Sequence, residues 1–458
     1  MARADGRLEA QARLILDHLK GSAAYPRDWQ RTGDVEYFYR EHNILVRDRD
    51  VPRVVEALRT YLSGGDKRRR TTSQDDKDQN QIVVIPVIDG VTRLAYGRQE
   101  PPFGPQRTEV PNVLAHLDSA VGLDVAKPDH VLFIAAHPCP ATEPEEVPRG
   151  TVNPFPAWGD DYDHGRTEPS CGCHQCRCPR GQCDGRDVFV TVADLGWLSS
   201  AETAHSWLVG VKGDEEIPPS AGTIGPYGGH GTFVAGCVRV TAPQATIYVE
   251  KVVEVTAASS GANFESEVVL HLHNALTRSP DIVVFEFTTA TRHNHSLHAL
   301  DALYESRLRH IKGLAFLAPA GNEGGHQLQW PAAYPWAISV GALSANWRTR
   351  AHFSNYGGWV DVYAPGEDLV NAFASGNYVC SEPPNNGVQR KFDGMAKWSG
   401  TSFATPLVAG LIASRMSCTG ENGRQAADSL LRLARSQALP GVGAVLFPGQ
   451  SCSGPLST

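Results

Sequence analysis

Apolar positions recur along this chain with two different periods, and the changes between them divide it into segments. Leu8–Leu19 carries apolar residues at helical spacing. From residue 36 a new pattern begins. Tyr37–Val46 reads as a strand and Val51–Leu62 as a helix; after a charged loop at 66–80, Ile82–Ile88 and Val91–Tyr96 read as two strands joined by Asp89-Gly90, a hairpin turn signal. A helix over Val110–Val121 and a strand over His130–Ala136 complete the order βαββαβ. That order predicts a small α+β ferredoxin-like domain over residues 36–137, behind an N-terminal helix and extension at 1–35. Residues 138–187 hold prolines, glycines and cysteines without apolar periodicity, as a linker does. From 188 to 458, strand-like runs at Val188–Ala193, Thr246–Val253, Ile282–Phe287, Leu314–Ala318 and Ala337–Val340 alternate with helical segments. The helices fall at Thr232–Val240, Phe264–Thr277, Leu297–Ile311, Ser402–Met416 and near Gln425–Ser436. Apolar strands separated by helices predict an α/β unit, a parallel sheet with helices on both faces.

Charge and length narrow the partners. The 458 residues suit two or three domains. With 42 basic against 50 acidic residues the net charge is −8, and the one dense basic run, Lys67–Arg70, leads straight into Asp75-Asp76-Lys77-Asp78. A solvated loop is expected there, and no nucleic-acid partner. The longest apolar stretches, such as Leu407–Ala413, fall far short of the ~18 residues of a membrane span, so no membrane partner is expected either. The opening Met1–Glu9 lacks the apolar core of a secretory signal, which makes a cytoplasmic location the expectation and secretion the alternative.

Candidate chemistry sits in the second half. VFVTVADLG (188–196) is a buried strand ending in Asp194, and carboxyl ends of parallel strands are where sites are built. GHGTFVAG (229–236) places His230 at the start of an apolar helix, among glycines that let other backbone approach. SGTSFATP (399–406) places Ser402 at the opening of another helix, with Pro406 expected in its first turn. A hydroxyl attacks only when a base removes its proton, and an imidazole is an effective base only when oriented and electrostatically supported. Ser402 as nucleophile, His230 as base and Asp194 as orienter satisfy both needs. LAPAGNEG (317–324) adds Asn322 in a glycine-flanked turn past a strand, where its amide can donate to an oxyanion alongside backbone N–H at the Ser402 helix.

These four motifs, in the order Asp, His, Ser, resemble the subtilisin-like serine proteases, the subtilases; α/β-hydrolases place the serine first and the histidine last. The likeness covers about residues 187–440. It implies a serine endopeptidase that acts on peptides or proteins through a Ser402 acyl-enzyme and needs no cofactor for catalysis. Calcium is common in the family as a stabiliser, and no ligands for it can be assigned here. Pro331–Tyr334 and Phe353–Gly357 match framework segments. Many subtilases carry a ferredoxin-like propeptide that assists folding and inhibits by laying its C-terminal tail in the cleft. Residues 36–137 then read as intramolecular inhibitor and chaperone, with 138–187 as tail and linker, or as a permanently attached accessory domain. An autoinhibited or inactive protein of the same fold, its cleft filled by its own N-terminal segment, is the alternative to a working enzyme.

Several positions depart from the family pattern. Phe233 stands where relatives often have a second histidine, and is expected to repack. DIVVFEFTT (281–289) replaces a strand ending in Ser-Leu-Gly-Gly. Glu286, Phe287, Thr288 and Thr289, with Gly321 across the cleft, are the expected substrate-binding residues, and the threonines narrow the pocket. Glu286 either favours a basic substrate residue or faces solvent from an edge strand. Cys171, Cys173, Cys176, Cys178 and Cys183, with His174 among them, fit zinc thiolate ligation, a disulfide-stapled loop in an exported enzyme, or a redox-sensitive insertion. Cys237 reads as a core residue, and His271, His273, His293, His295 and His298 as exposed helix and loop histidines.

Overall fold

A computed structural model describes residues 7–19, 22–24, 37–63, 82–97, 108–134, 142–148, 183–216, 220–252 and 261–450. Two sheets organise it. The first is built from β1 (Tyr39–Arg47), β2 (Ile82–Ile88), β3 (Val91–Tyr96) and β4 (Ala126–Ile134), in the antiparallel order β4-β1-β3-β2. Helices α2 (Val51–Leu62) and α3 (Val110–Val121) cover one face through Val54, Leu58, Val113 and Leu117, apolar residues on one side of each helix. The expected ferredoxin-like order is present; α1 (Arg7–His18) packs Ala12 and Ile15 against Phe38 and Phe133.

The second sheet is parallel. Its strands β5 (Phe189–Asp194), β6 (Thr246–Lys251), β8 (Ile282–Phe285), β10 (Ala315–Pro319), β11 (Ile338–Leu343) and β12 (Val362–Pro365) lie in the order β12-β11-β10-β8-β5-β6, with Lys212–Gly213 beyond β6. All but β6 are almost wholly buried because helices cover both faces. On one side lie α4 (His230–Thr241), α7 (Thr401–Thr419) and α8 (Gly423–Ser436). On the other lie α5 (Glu265–Leu276) and α6 (His298–Ser306). Helices α4 and α7 touch closely: a Cβ at Gly410 would collide with the Thr241 hydroxyl, which donates to the Leu407 carbonyl at 3.0 Å. A long hairpin, β13 (Leu369–Val379) and β14 (Gln389–Trp398), precedes α7; its mixed polar and apolar sequence gave no strand signal.

Three expectations need correcting. Strand β4 runs over Ala126–Ile134 rather than His130–Ala136. Helix α7 starts at Thr401, so Pro406 lies inside it rather than in its first turn, and the N–H that would bond the Ser402 carbonyl is missing. His298 is buried beneath Val125 instead of exposed, because the N-terminal sheet lies over the start of α6. The charged loop at 66–80 lies outside the described residues.

The small domain does not stand apart. Leu45, Val91, Leu132 and Ile134 join the core beneath α5 and α6. Asp129 on β4 accepts from the Ser266 amide at 3.0 Å and hydroxyl at 2.8 Å, placing a carboxylate at the positive end of α5. Arg40 pairs with Asp129 and Glu267, Arg292 with Asp118, and Lys127 donates to the Ser296 carbonyl at 2.6 Å.

Candidate active site

The C-terminal end of β5 delivers Asp194, fully buried beside the turn at Gly196, whose φ of +93° suits glycine. One Asp194 oxygen accepts from the Leu195 amide at 2.7 Å; the other faces His230 Nδ1 at 2.8 Å. His230 begins α4 behind Gly229, which sits in the left-handed region, and a Cβ on Gly231 would overlap the Gly196 carbonyl. Glycines at these two places therefore let the strand end and the helix start approach closely enough for the pair to form. Glu216, which the sequence did not single out, accepts from the Gly229 amide at 2.9 Å, and burial pushes its carboxyl up to about 8.

His230 is walled by aromatic rings. Trp398 and Phe403 lie 5.6 and 5.3 Å from it by centroid, and Phe233 closes the cluster 4.5 Å from Phe403. Phe233 thus repacks as expected. His230 Nδ1 carries the proton shared with Asp194, which leaves Nε2 as the basic lone pair. That atom is buried without a hydrogen-bond partner.

Asn322 follows β10 on a turn whose Gly321 has φ +94°. Its Oδ1 accepts from the Thr401 amide at 2.9 Å and hydroxyl at 3.0 Å, so Nδ2 is the end left to donate. Thr401, the immediate neighbour of Ser402, also receives the Gly321 amide on its hydroxyl at 3.2 Å. Asn355 bonds the Ala320 carbonyl at 2.9 Å and the Glu323 carboxyl, and takes the Gly325 amide at 2.9 Å. The Phe353–Gly357 segment is therefore the brace of the Asn322 turn. Thr401 and Asn355 were not recognised as site residues; only their adjacency to recognised motifs marks them in the sequence.

Asp194 pairs with His230, Asn322 is bound to Thr401, the chain neighbour of Ser402, and all four of the predicted residues are buried. The expected substrate-binding residues divide. Phe287-Thr288 forms a short strand, β9, and Ala262–Phe264 forms another, β7. Between them, antiparallel to both, lies the end of β4: Phe133 opposes Thr288 and Ala262, Ile134 opposes Phe287, and the Ile134 amide donates to the Gly261 carbonyl at 3.1 Å. Thr289 pairs instead with Trp330, amide to carbonyl at 2.9 Å in both directions. Glu286 meets no solvent. It is fully buried, with Ser402 and Asp194 as its polar neighbours, because Phe285 and Phe287 take the apolar side of the strand and turn it inward. Burial overturns the reading in which it faces solvent.

On the far side of Ser402 the chain is described again from Thr142, whose carbonyl accepts from Trp398 Nε1 at 2.6 Å. Glu143 accepts from the Ser381 amide at 2.6 Å, and Glu145 forms a bridge with Lys397.

Cys183 is disulfide-bonded and so supplies no thiolate to a metal. Cys171, Cys173, Cys176 and Cys178 lie outside the described residues. Among those described, no group of three or more His, Cys, Asp or Glu side chains is placed to hold a metal ion, and no helix is long and apolar enough to cross a membrane. Cys237 is a fully buried thiol in α4.

A buried serine, a carboxylate-supported imidazole and an oriented amide at the carboxyl ends of parallel strands define a serine-nucleophile hydrolase site. The model of the subtilase family matches residues 185–432, and the chain belongs to that family, the subtilisin-like serine endopeptidases. An intracellular serine protease of Paenibacillus polymyxa is 28% identical over 250 residues, 51% of this chain and 67% of that protein. Subtilisin E of Bacillus subtilis (strain 168) is 29% identical over 245 residues, 50% of this chain and 55% of the relative. The match thus spans between about half and two thirds of these relatives' length. Fervidolysin from Fervidobacterium pennivorans, a keratinolytic enzyme related to subtilisin, shares the fold with a TM-score of 0.54 at 18% identity, over 92% of this chain and 62% of that one.

Proposed function

We propose that this chain is a serine endopeptidase whose N-terminal domain inhibits it from within until it is cut away. The observation that carries the reading is the end of β4, an extended peptide held by strand addition between β7 and β9 beside Ser402. Those edges accept a polypeptide backbone, and the narrow wall at Thr288 fits a restricted substrate range. In the reaction Ser402 Oγ attacks the peptide carbonyl as His230 Nε2 takes its proton. Asp194 stabilises the imidazolium, and Asn322 Nδ2 donates to the oxyanion. His230 then protonates the leaving amine, and water releases the acyl group by the same steps in reverse.

The segment that supports this reading is the end of β4, while most of the 138–187 tail and linker lies outside the described residues. The antiparallel register sets Ile134, the last described residue of β4, opposite Phe287, which follows Glu286, the neighbour of Ser402. Self-cleavage is expected in the chain just past β4, within residues 135–141. Full-length protein, stored at neutral pH, should lose that mass and label at Ser402 with a fluorophosphonate, while Ser402→Ala stays intact and unlabelled. A folded wild type that neither shortens nor labels sinks the enzyme reading. It would leave the second one, a silenced regulatory protein, which the filled cleft and the unpartnered His230 Nε2 favour. The disulfide at Cys183 supports an oxidising compartment over the cytoplasm.

Docking of the N-terminal domain should depend on pH. His130 on β4 is buried 3.3 Å from Glu265, and burial lowers its pKa from 6.5 to about 3. The docked state therefore refuses a proton that the released state accepts between those values. Docking is unimpaired by this group above pH 6.5 and weakens as pH falls toward 3, by about 1.4 kcal/mol per pH unit. Glu265, raised to about 8 by burial, acts with the opposite sign, so His130→Gln supplies the control. In a Ser402→Ala background, hydrogen-exchange protection of Thr288 should fall toward acid pH more steeply with His130 than with Gln. Parallel slopes would refute the assignment.

A further inference from the structure

One ionisable group in the site takes no part in the mechanism above. Glu286 joins β8 to β9 with its backbone amide on the Ala193 carbonyl at 3.2 Å, and its side chain is fully buried. Neither carboxyl oxygen has a hydrogen bond of normal geometry, yet the Ser402 hydroxyl lies close enough to favour its charged form. The groups facing it are Asp194 from β5, Cys237 from α4 and Ser402 from α7; none of these described neighbours is a lysine or arginine. A carboxylate here would be dry, without a cation and beside a second carboxylate, so the neutral form is favoured: burial and the Asp194 charge raise its pKa well above 4.5. A neutral carboxylic acid has one proton to donate, and Ser402 Oγ is the acceptor within reach. Across the site, His230 Nε2 has no partner, so the Ser402 hydroxyl is not held by the base, and Glu286 is its carboxyl neighbour.

We propose that Glu286 is a positioning residue for Ser402: as a neutral acid it donates to Oγ and leaves the Ser402 proton for His230, and when ionised it captures that proton in a hydrogen bond and silences the nucleophile. The inference rests on Ser402 being the nucleophile. It gives the enzyme an alkaline limit that belongs to Glu286, where a triad of Asp, His and Ser alone sets only an acid one.

The test is the rate of fluorophosphonate labelling of the full chain against pH, for wild type, Glu286→Gln and Glu286→Ser. Gln keeps the volume and a donor but cannot ionise; Ser leaves room for water and cannot ionise in this range either. Wild-type labelling should fall about tenfold per pH unit beyond its alkaline midpoint. Both variants should hold their plateau there, so that two units above that midpoint they label about 100-fold faster, relative to plateau, than wild type. All three share the N-terminal interface, so its own pH dependence cancels in the comparison. Coincident alkaline limbs in wild type and whichever variant folds would overturn the role of Glu286 alone. A wild type that never labels would overturn the nucleophile reading and this inference with it.

Discussion

Ser402→Ala is expected to lower peptide hydrolysis by about 10^6-fold, a magnitude known for loss of the nucleophile in subtilisin and carried over rather than derived from this geometry. The fold should survive. Ser402 is fully buried in α7, and alanine is smaller and a better helix former. The Asp194–His230 contact at 2.8 Å does not involve the hydroxyl, so the imidazole keeps its tautomer. His230→Ala should cost nearly as much, and the double variant little more, because attack and proton removal are one event. The check is kcat/KM on an unfolded protein substrate, with thermal melts to confirm the fold. Residual activity within tenfold of wild type in Ser402→Ala would remove Ser402 from the mechanism.

Asn322→Ala should lower kcat by about 100- to 1,000-fold with KM little changed, a range again known from subtilisin for loss of one oxyanion donor. The expectation here is sharpened by Thr401. Because its amide and hydroxyl both hold Asn322 Oδ1, the end that can serve as donor is Nδ2. Asn322→Asp keeps an acceptor for Thr401 and removes only the donor. It should therefore lose at least as much kcat as alanine while melting closer to wild type. If Asn322→Asp retains wild-type kcat, the oxyanion is held by something else.

The elements of this fold were legible wherever burial is one-sided or complete. Val51–Leu62 and Val110–Val121 alternate apolar and polar residues at helical spacing, and their observed bounds coincide with the reading. The hairpin at Asp89-Gly90 was legible because Gly90 needs φ +94°. The long β13–β14 hairpin was not, since its outer half is exposed and polar and its register shifts between Ala372 and Ser375. Strand β4 was placed late because Lys127, Asp129 and His130 interrupt it, and a charged residue in a run reads as its end. Those residues are buried only because Ser296, Ser266 and Glu265 of the larger domain receive them.

Local chemistry decided the rest of what the sequence determined. Asp194, His230, Asn322 and Ser402 each sit in a short motif whose glycines and helix starts have meaning without the rest of the chain. What only the tertiary structure decided was what faces each of them. In VVFEFTT the alternation puts Glu286 opposite Phe285 and Phe287, but a strand has two faces, and nothing local says that one is the catalytic centre. Nor does the end of β4 announce that its partners are β7 and β9, more than 120 residues onward in the chain. Periodicity and turn chemistry are set by neighbours a few residues away and can be read in one dimension. Burial of a carboxyl beside Ser402, and the pairing of the end of β4 with β7 and β9, arise from contacts between distant segments, which only the packed fold brings together.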